Sequence, residues 1–342
     1  MKVCIVGCGA IGGLLAAFLS RTSADVTVVD RGDQYLAIRD HGLVLVNTMG
    51  KKELLKNLRV TDSFENCGNF DVVFLAVKAY EIDALSTGLP ALFHDRTALV
   101  TLQNGLPWWY FQRCGGSFEG RSIRATDPGG RLSKLIDSQR IVGCVAYPAA
   151  EVVEPGVIRH IEGVRFPLGE LDGQITPRAK QISELLSEAG LKSPVLEDIR
   201  SEIWLKAWGN LAFNPISALT HATMAQIARF PQTNEYAAQL MREAETVANK
   251  LGVDFRVSLE QRLLGAEKVG EHKTSMLQDM QALRPMELDA ILGTVIEMAA
   301  LVGVGVPYLK GLYALCSLRD AINMEQAAEN FRSSIGETGL SL

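Results

Sequence analysis

The sequence has little of what several protein classes require. It carries 34 Lys and Arg against 39 Asp and Glu, a net charge of -5, so it lacks the positive excess with which proteins bind nucleic acid. Its six cysteines are scattered through 342 residues, and no two have the two-residue spacing of zinc or redox motifs. We therefore expect no nucleic acid partner, no metal site, and the reduced thiols of a cytoplasmic protein.

Uninterrupted apolar runs of membrane length are also missing. The stretch from Ala290 to Leu309 is strongly apolar, but Glu297 and Pro307 interrupt it, and a membrane-spanning helix needs about 20 apolar residues. Hydrophobic residues make up 47% and charged residues 21% of the chain, as in ordinary globular proteins. This length and composition predict two domains with sizeable cores and no membrane segment.

A glycine-rich turn near the start of the chain predicts a dinucleotide site. An apolar strand, Val3–Val6, precedes it, a helix from about Gly12 to Arg21 follows, and a second strand, Asp25–Val29, ends at Asp30. An acidic residue about 20 residues beyond the glycines completes the dinucleotide-binding fingerprint. The turn itself is Gly7-Cys8-Gly9-Ala10-Ile11-Gly12.

Each glycine has a mechanical role in that fingerprint. Gly7 permits the tight turn, Gly9 lets the backbone approach the pyrophosphate, and Gly12 lets the helix pack closely on the strand. The choice of cofactor stays open, because Asp30 suits the ribose 2′-hydroxyl of NAD whereas Arg31 suits the 2′-phosphate of NADP.

The chain divides into an α/β part and a helical part. Further apolar strands are predicted at Asp71–Val77 and Ala98–Leu102, as in a parallel sheet covered on both faces, and strand-like segments resume at Arg140–Ala146 and Gly156–Gly169. Helical periodicity dominates after Glu197. We predict a Rossmann-type parallel-sheet domain (1–197), an all-helical domain for substrate binding and dimerisation (198–331) and a frayed tail (332–342), with helices at Trp204–Ala218, Glu235–Leu251, Leu259–Val269 and Pro285–Val302.

The Trp108–Arg140 segment is expected to leave the sheet. It contains the cluster Trp108-Trp109-Tyr110-Phe111 and several glycines. A surface loop with local packing and a mobile lid are both compatible with a loop of this length.

Polar residues recur on one face of an apolar helix in the second domain. Lys206, Asn210 and Asn214 are spaced i, i+4 and i+8 among Trp, Leu and Phe residues. A lysine in such surroundings must find a partner or lower its pKa, which suits a proton donor. The asparagines could equally satisfy backbone groups near Pro215.

A second polar cluster follows. Ser275 and Asp279 could be helix caps, and Glu287 could lie beside a helix start. Capping explains Glu287 less well, because its neighbours Met286 and Leu288 are both apolar.

Together these segments resemble the ketopantoate reductase (2-dehydropantoate 2-reductase) family. The resemblance extends from residue 1 to about 320 and implies an N-terminal Rossmann domain with a helical C-terminal domain. The segments that carry it are Gly7 to Gly12, Ala76-Val77-Lys78, Leu102-Gln103-Asn104-Gly105, Lys206 with Asn210 and Asn214-Pro215, Ser275 to Asp279, and Glu287-Leu288-Asp289.

The resemblance also implies an activity and residue roles. It implies NADPH-dependent reduction of ketopantoate, a small 2-oxo acid of pantothenate biosynthesis, with Lys206 as the general acid and Glu287 as the carboxylate that binds the substrate hydroxyl. Lys78 and Asn104 would lie near the nicotinamide. The implied substrate-binding residues are Asn104, Asn210, Asn214 and Ser275, and the implied cofactor residues are Gly7, Cys8, Gly9, Ala10, Ile11, Gly12, Asp30, Arg31, Lys78 and Asn104.

Three positions depart from the family pattern. Asp30 replaces an uncharged residue, and Met224 and His272 stand where substrate-contacting asparagines are expected. An NAD-linked dehydrogenase of another small hydroxy acid or alcohol therefore stays open. A non-catalytic cofactor sensor is disfavoured because Lys206 and Glu287 are both present. The apolar helices of the second domain are compatible with a homodimer.

Overall fold

A computed structural model describes residues 1–56, 58–65 and 67–338. The chain forms two compact units, Met1–Ile203 and Trp204–Leu342. The division falls inside the helix Ile199–Thr220, a few residues after the boundary predicted near Glu197. The first five residues of this helix belong to the first unit and the rest belong to the second.

The first unit alternates strands and helices over much of its length. Its strands are β1 (Lys2–Val6), β2 (Asp25–Val29), β3 (Leu43–Val46), β4 (Lys52–Leu55), β5 (Arg59–Thr61), β6 (Phe70–Leu75), β7 (Phe93–Thr101), β8 (Ile141–Cys144), β9 (Ala149–Glu154), β10 (Val157–Glu162) and β11 (Leu168–Glu170). Its helices are α1 (Ala10–Leu19), α2 (Gly32–His41), α3 (Ile82–Leu85), α4 (Arg131–Leu135) and α5 (Pro177–Glu188).

The main sheet has the strand order β11-β8-β7-β6-β1-β2-β5 within the described residues. Its neighbours pair in parallel, except that β11 runs antiparallel to β8. β1 and β2 are buried after their first residues, as the continuous apolar runs of the sequence predicted. The α/β fold class with a Rossmann-type sheet is confirmed.

A second, four-stranded sheet covers α1. Its order is β4-β3-β10-β9, with β10 parallel to β3, so the predicted segment Gly156–Gly169 is divided: its first part forms β10 of this sheet, and its last two residues begin β11 of the main sheet. A Cβ on Gly13 would lie 2.6 Å from Ile158 Cγ1. This closeness, together with the contacts of α1 with β1, β9 and β10, places α1 between the two sheets.

The aromatic cluster of the Trp108–Arg140 segment is part of the core. Trp108, Trp109, Tyr110 and Phe111 are each at most 3% exposed, and Trp109 Nε1 donates to Thr101 Oγ1 at 3.0 Å. The aromatic part of the segment is therefore neither a surface loop nor a lid, because its four rings are buried and Trp109 is bonded to β7.

The second unit is helical. It contains the larger part of α6 (Ile199–Thr220), then α7 (Met224–Arg229), α8 (Pro231–Lys250), α9 (Leu259–Val269), α10 (Ser275–Gln281), α11 (Thr294–Leu301) and α12 (Pro307–Thr338). A π-helical stretch, Asp289–Gly293, precedes α11, so regular helix starts later than the predicted Pro285. None of the described helices combines the length and the apolar character that a bilayer crossing needs.

The last helix was not predicted, and it extends into the segment that we expected to fray. α12 continues to Thr338, so the tail that we expected to fray from Arg332 is helical as far as the structure describes it, and residues 339–342 lie outside the described residues.

The contact between Gly12 and the glycine turn yields a stability prediction. A Cβ on Gly12 would lie 1.8 Å from the carbonyl oxygen of Gly7, whereas one on Gly9 would meet nothing within 4 Å. Gly12→Ala should therefore lower the free energy of unfolding, measured by urea denaturation without ligands, by about 2 kcal/mol. The matched control Gly9→Ala should change it by less than about 0.5 kcal/mol. Equal values for the two variants would contradict this account.

Candidate functional site

The candidate cofactor residues of the first unit lie at one edge of the main sheet. The last residues of β1, β2, β6 and β7 are in register, since Val6 pairs with both Val29 and Leu75, and Leu75 pairs with Thr101. The glycine turn, Asp30-Arg31, Lys78 and Asn104 each follow one of these strands. The strand order also reverses direction at β1, and parallel sheets bind ligands at the carboxyl edge beside such a point.

The glycine turn has the geometry that a pyrophosphate needs. Gly7 has a φ of 93°, which residues with a side chain rarely adopt. The backbone of Gly12 lies so close to the Gly7 carbonyl that no Cβ fits between them. Gly9 is the N-cap of α1 and is exposed, with open space where a Cβ would be. Backbone N–H groups at the start of α1 therefore carry the positive end of the helix dipole toward an approachable surface.

The Cys8 peptide is held on both sides. Asp30 Oδ2 accepts the Cys8 N–H, while Gln34 Nε2 donates to the Cys8 carbonyl at 2.7 Å and Gln34 Oε1 accepts the Gly156 N–H at 3.0 Å. Asp30 is thus a structural part of the turn. Gln34 was missed by sequence reasoning, since nothing in its position one turn into α2 signals this contact.

Asp30 and Arg31 belong to a small charge network. Burial raises the pKa of the Asp30 carboxyl above its usual range, the hydrogen bonds from the Arg31 and Cys8 N–H groups oppose that rise, and the charge of Glu81 adds to it. Arg31 Nη2 lies 3.1 Å from Glu81 Oε1. Glu81 Oε2 in turn accepts the Lys78 N–H at 3.0 Å.

Gln103 adds a buried acceptor beside Asn104. Its Nε2 donates to the carbonyls of Leu75 at 2.7 Å and Val77 at 3.2 Å, which fixes the orientation of the amide. Its Oε1 is buried and accepts no hydrogen bond from the described residues. An exposed glycine cradle and a buried acceptor at the same sheet edge fit a nucleotide with phosphate and amide groups.

In the second unit, α6 carries the predicted polar stripe. Lys206 and Asn210 are partly exposed and Asn214 is 5% exposed, while Trp204, Trp208 and Phe213 are buried. The helix continues through Pro215 to Thr220, although proline lacks the N–H that would bond to the Leu211 carbonyl.

Glu287 lies two residues before the first residue of the π-helical stretch and is 6% exposed. Its carbonyl accepts the Ile291 N–H at 3.1 Å, and Asp320 Oδ1 accepts the N–H of the preceding residue, Met286, at 3.0 Å. The expected position beside a helix start is therefore observed. π-Helical turns are rare and often occur at functional sites, and sequence periodicity had given no sign of this one.

The capping interpretation of Ser275 and Asp279 is wrong. The cap of α10 is Thr274, which accepts the Leu277 N–H at 3.2 Å, and Ser275 is exposed in the first turn. Asp279 is buried within the helix and pairs with Arg284 Nε at 3.1 Å. Asp279 therefore lies inside the helix, with its carboxylate in an ion pair with Arg284.

Comparison with known proteins identifies the family. The ketopantoate reductase PanE/ApbA model matches residues 3–107, and the model of the family's C-terminal part matches residues 198–320. A 2-dehydropantoate 2-reductase from Mesorhizobium japonicum is 45% identical over 316 residues, 92% of this chain and 96% of the relative. The chain belongs to the ketopantoate reductase family. It is therefore an oxidoreductase acting on CH–OH groups, as the resemblance of its motifs implied.

Solved structures agree with this assignment. A structure from Ralstonia solanacearum MolK2, provisionally described as a ketopantoate reductase, is 36% identical with a TM-score of 0.89 and covers 94% of this chain and 98% of that one. D-mandelate dehydrogenase, solved with NADH and anilino(oxo)acetate, has a TM-score of 0.82 at 22% identity, with 94% and 99% covered. At that identity the second likeness concerns the fold alone.

The two departures from the ketopantoate reductase pattern in the helical unit are neighbours. The Met224 N–H donates to the His272 carbonyl at 3.4 Å, and both residues are partly exposed. The two positions at which the resemblance implies asparagines are therefore adjacent. Among the described residues, no group of three or more His, Cys, Asp or Glu side chains is placed to hold a metal ion.

Proposed function

We propose that this enzyme reduces ketopantoate, or a closely similar 2-oxo acid, to the 2-hydroxy acid with NADPH. The observation that carries the proposal is the stripe of Lys206, Asn210 and Asn214 on the otherwise apolar α6, in a chain 45% identical to a 2-dehydropantoate 2-reductase. A cation among amide groups suits a substrate that carries a ketone and a carboxylate.

In this proposal Lys206 is the general acid. When bound, the reduced nicotinamide would supply a hydride to the ketone carbon. The carbonyl oxygen then gains negative charge, which the Lys206 ammonium stabilises before its Nζ gives that oxygen a proton. The neutral amine recovers a proton from solvent, so each turnover consumes one hydride and one proton.

The other predicted residues orient the substrate and hold the cofactor. Glu287 accepts a hydrogen bond from the substrate hydroxyl, and the amide and hydroxyl groups of Asn104, Asn210, Asn214 and Ser275 fix the carboxylate and ketone. The glycine turn, Lys78 and Asn104 hold the dinucleotide, with Arg31 pairing with the 2′-phosphate. Support for these roles is the sheet-edge geometry of the first unit and the burial of Glu287.

A second candidate substrate class follows from Met224 and His272. Their adjacency removes two amide groups from one place, which favours a 2-oxo acid with fewer polar groups than ketopantoate. We also propose that the enzyme is cytoplasmic and that it forms a homodimer. The homodimer is proposed because Leu315, Leu318 and Ile322 expose apolar surface on α12. Light scattering would measure the molecular mass in solution.

Initial-rate assays test the reaction and the cofactor. We expect ketopantoate turnover with NADPH to exceed that with NADH in kcat/KM. Ketoisovalerate, which lacks the hydroxymethyl group, serves as the comparison substrate. The absence of turnover of both acids with both cofactors would overturn the proposal, and faster turnover of ketoisovalerate would favour the second substrate class.

Replacing Lys206 tests the proton donor. Lys206→Ala should lower kcat roughly 10²- to 10⁴-fold, because general acid catalysis contributes about that much. The control is Lys250→Ala, which removes an exposed lysine at the end of α8 and should leave kcat unchanged. A near-normal kcat in the Lys206 variant would remove this residue from the chemistry.

Replacing Glu287 tests recognition of the substrate hydroxyl. Glu287→Gln keeps the shape of the side chain but loses the charge that strengthens the hydrogen bond, so kcat/KM for ketopantoate should fall about tenfold. The value for ketoisovalerate should change by less than about twofold, because that acid has no hydroxyl to bind. Equal losses for both substrates would show that Glu287 acts otherwise.

A further inference from the structure

The contact between Arg31 and Glu81 bears on the choice between NADPH and NADH. Arg31 follows β2, and its side chain is 72% exposed, whereas Glu81 follows β6 and is 29% exposed. One Glu81 oxygen holds Arg31 at 3.1 Å and the other accepts the Lys78 N–H at 3.0 Å. Glu81 is thus anchored to the turn after β6, and the exposed guanidinium is drawn toward it.

A second carboxylate lies beside this arginine. Besides Glu81, the Asp30 carboxylate is fixed beside it by the N–H groups of Cys8 and Arg31, and Asp33 lies in the first turn of α2. A 2′-phosphate arriving at the end of β2 carries nearly two negative charges. It would meet these carboxylates and would have to compete with Glu81 for the guanidinium. A 2′-hydroxyl meets neither obstacle.

We propose that Glu81 is a specificity-determining residue that weakens the binding of NADPH relative to NADH. It does so by forming an ion pair with Arg31, and by placing a carboxylate close to the group that a 2′-phosphate would bind. This inference rests on the dinucleotide site of the proposed function. An exposed ion pair contributes little to stability, so Arg31 can exchange partners, and Glu81 lowers the preference for NADPH without abolishing it.

Glu81→Gln isolates the charge. The glutamine carbonyl still accepts the Lys78 N–H, so the turn after β6 is kept. Calorimetric titration of the enzyme with NADPH and with NADH, without substrate, measures binding independently of turnover. We expect the Kd for NADPH to fall about tenfold and the Kd for NADH to change by less than about twofold, with the NADPH gain shrinking in about 0.5 M salt.

Two further variants separate the contact from general charge. Asp83→Asn removes an equal charge two residues away, where the carboxylate lies 3.6 Å from Arg131, and it should leave the ratio of the two Kd values unchanged. In Arg31→Ala/Glu81→Gln, most of the NADPH gain should disappear, because the freed guanidinium is its main source.

The outcomes distinguish this inference from the proposed function. If Glu81→Gln shifts both Kd values equally or shifts neither, or if Asp83→Asn changes the ratio as much, Glu81 does not select the cofactor while the dinucleotide site stands. If neither NADPH nor NADH binds to the unmodified enzyme, the dinucleotide site fails and this inference fails with it.

Discussion

The close approach of α1 to the glycine turn is the constraint on which the first unit depends. A side chain at residue 12 would overlap the Gly7 carbonyl, so the direction in which α1 leaves β1 is available only to glycine at this position. That direction seats α1 between the two sheets and aims its positive end at the carboxyl edge of β1. Asp30 and Gln34 then clamp the peptide in the middle of the turn, which turns a flexible glycine segment into a preformed anion site.

In the helical unit, the corresponding constraint is that α6 carries polar side chains among apolar ones. The helical spacing of Lys206, Asn210 and Asn214 places all three on one face of α6. The Trp and Phe residues on the other faces of the helix are free to pack in the core. Trp208 illustrates the packing, since its ring stacks on Phe255 at 4.2 Å and its Nε1 donates to the Met241 carbonyl at 2.7 Å. In our proposal, packing of this kind holds Lys206 at a fixed position.

Local patterns were predictable from sequence, and non-local pairings were not. The strand Asp25–Val29 and the helix Leu259–Val269 were placed with the bounds that the structure has, because periodicity and flanking residues define them. The second sheet escaped prediction because its pairing of Val157 with Val44 joins short segments far apart in sequence. Glu81 escaped for a similar reason, since its partner Arg31 is 50 residues away. The N-cap of α10 was assigned one residue too late, because threonine and serine are both preferred at N-caps and Thr274 and Ser275 are adjacent.

Residue type at a fingerprint position is a weaker guide to cofactor choice than the hydrogen bonds of that residue. Asp30 stands where an acidic residue usually signals a ribose hydroxyl, yet both its oxygens accept backbone N–H groups of the turn and the next residue. Asp30 therefore cannot move aside for a phosphate without releasing the Cys8 N–H. The Arg31 guanidinium is exposed and pairs with Glu81, so it can reorient at small cost. In our proposal the Arg31–Glu81 pair therefore determines the choice between NADPH and NADH, while the partly buried Asp30 stays in place whichever dinucleotide binds.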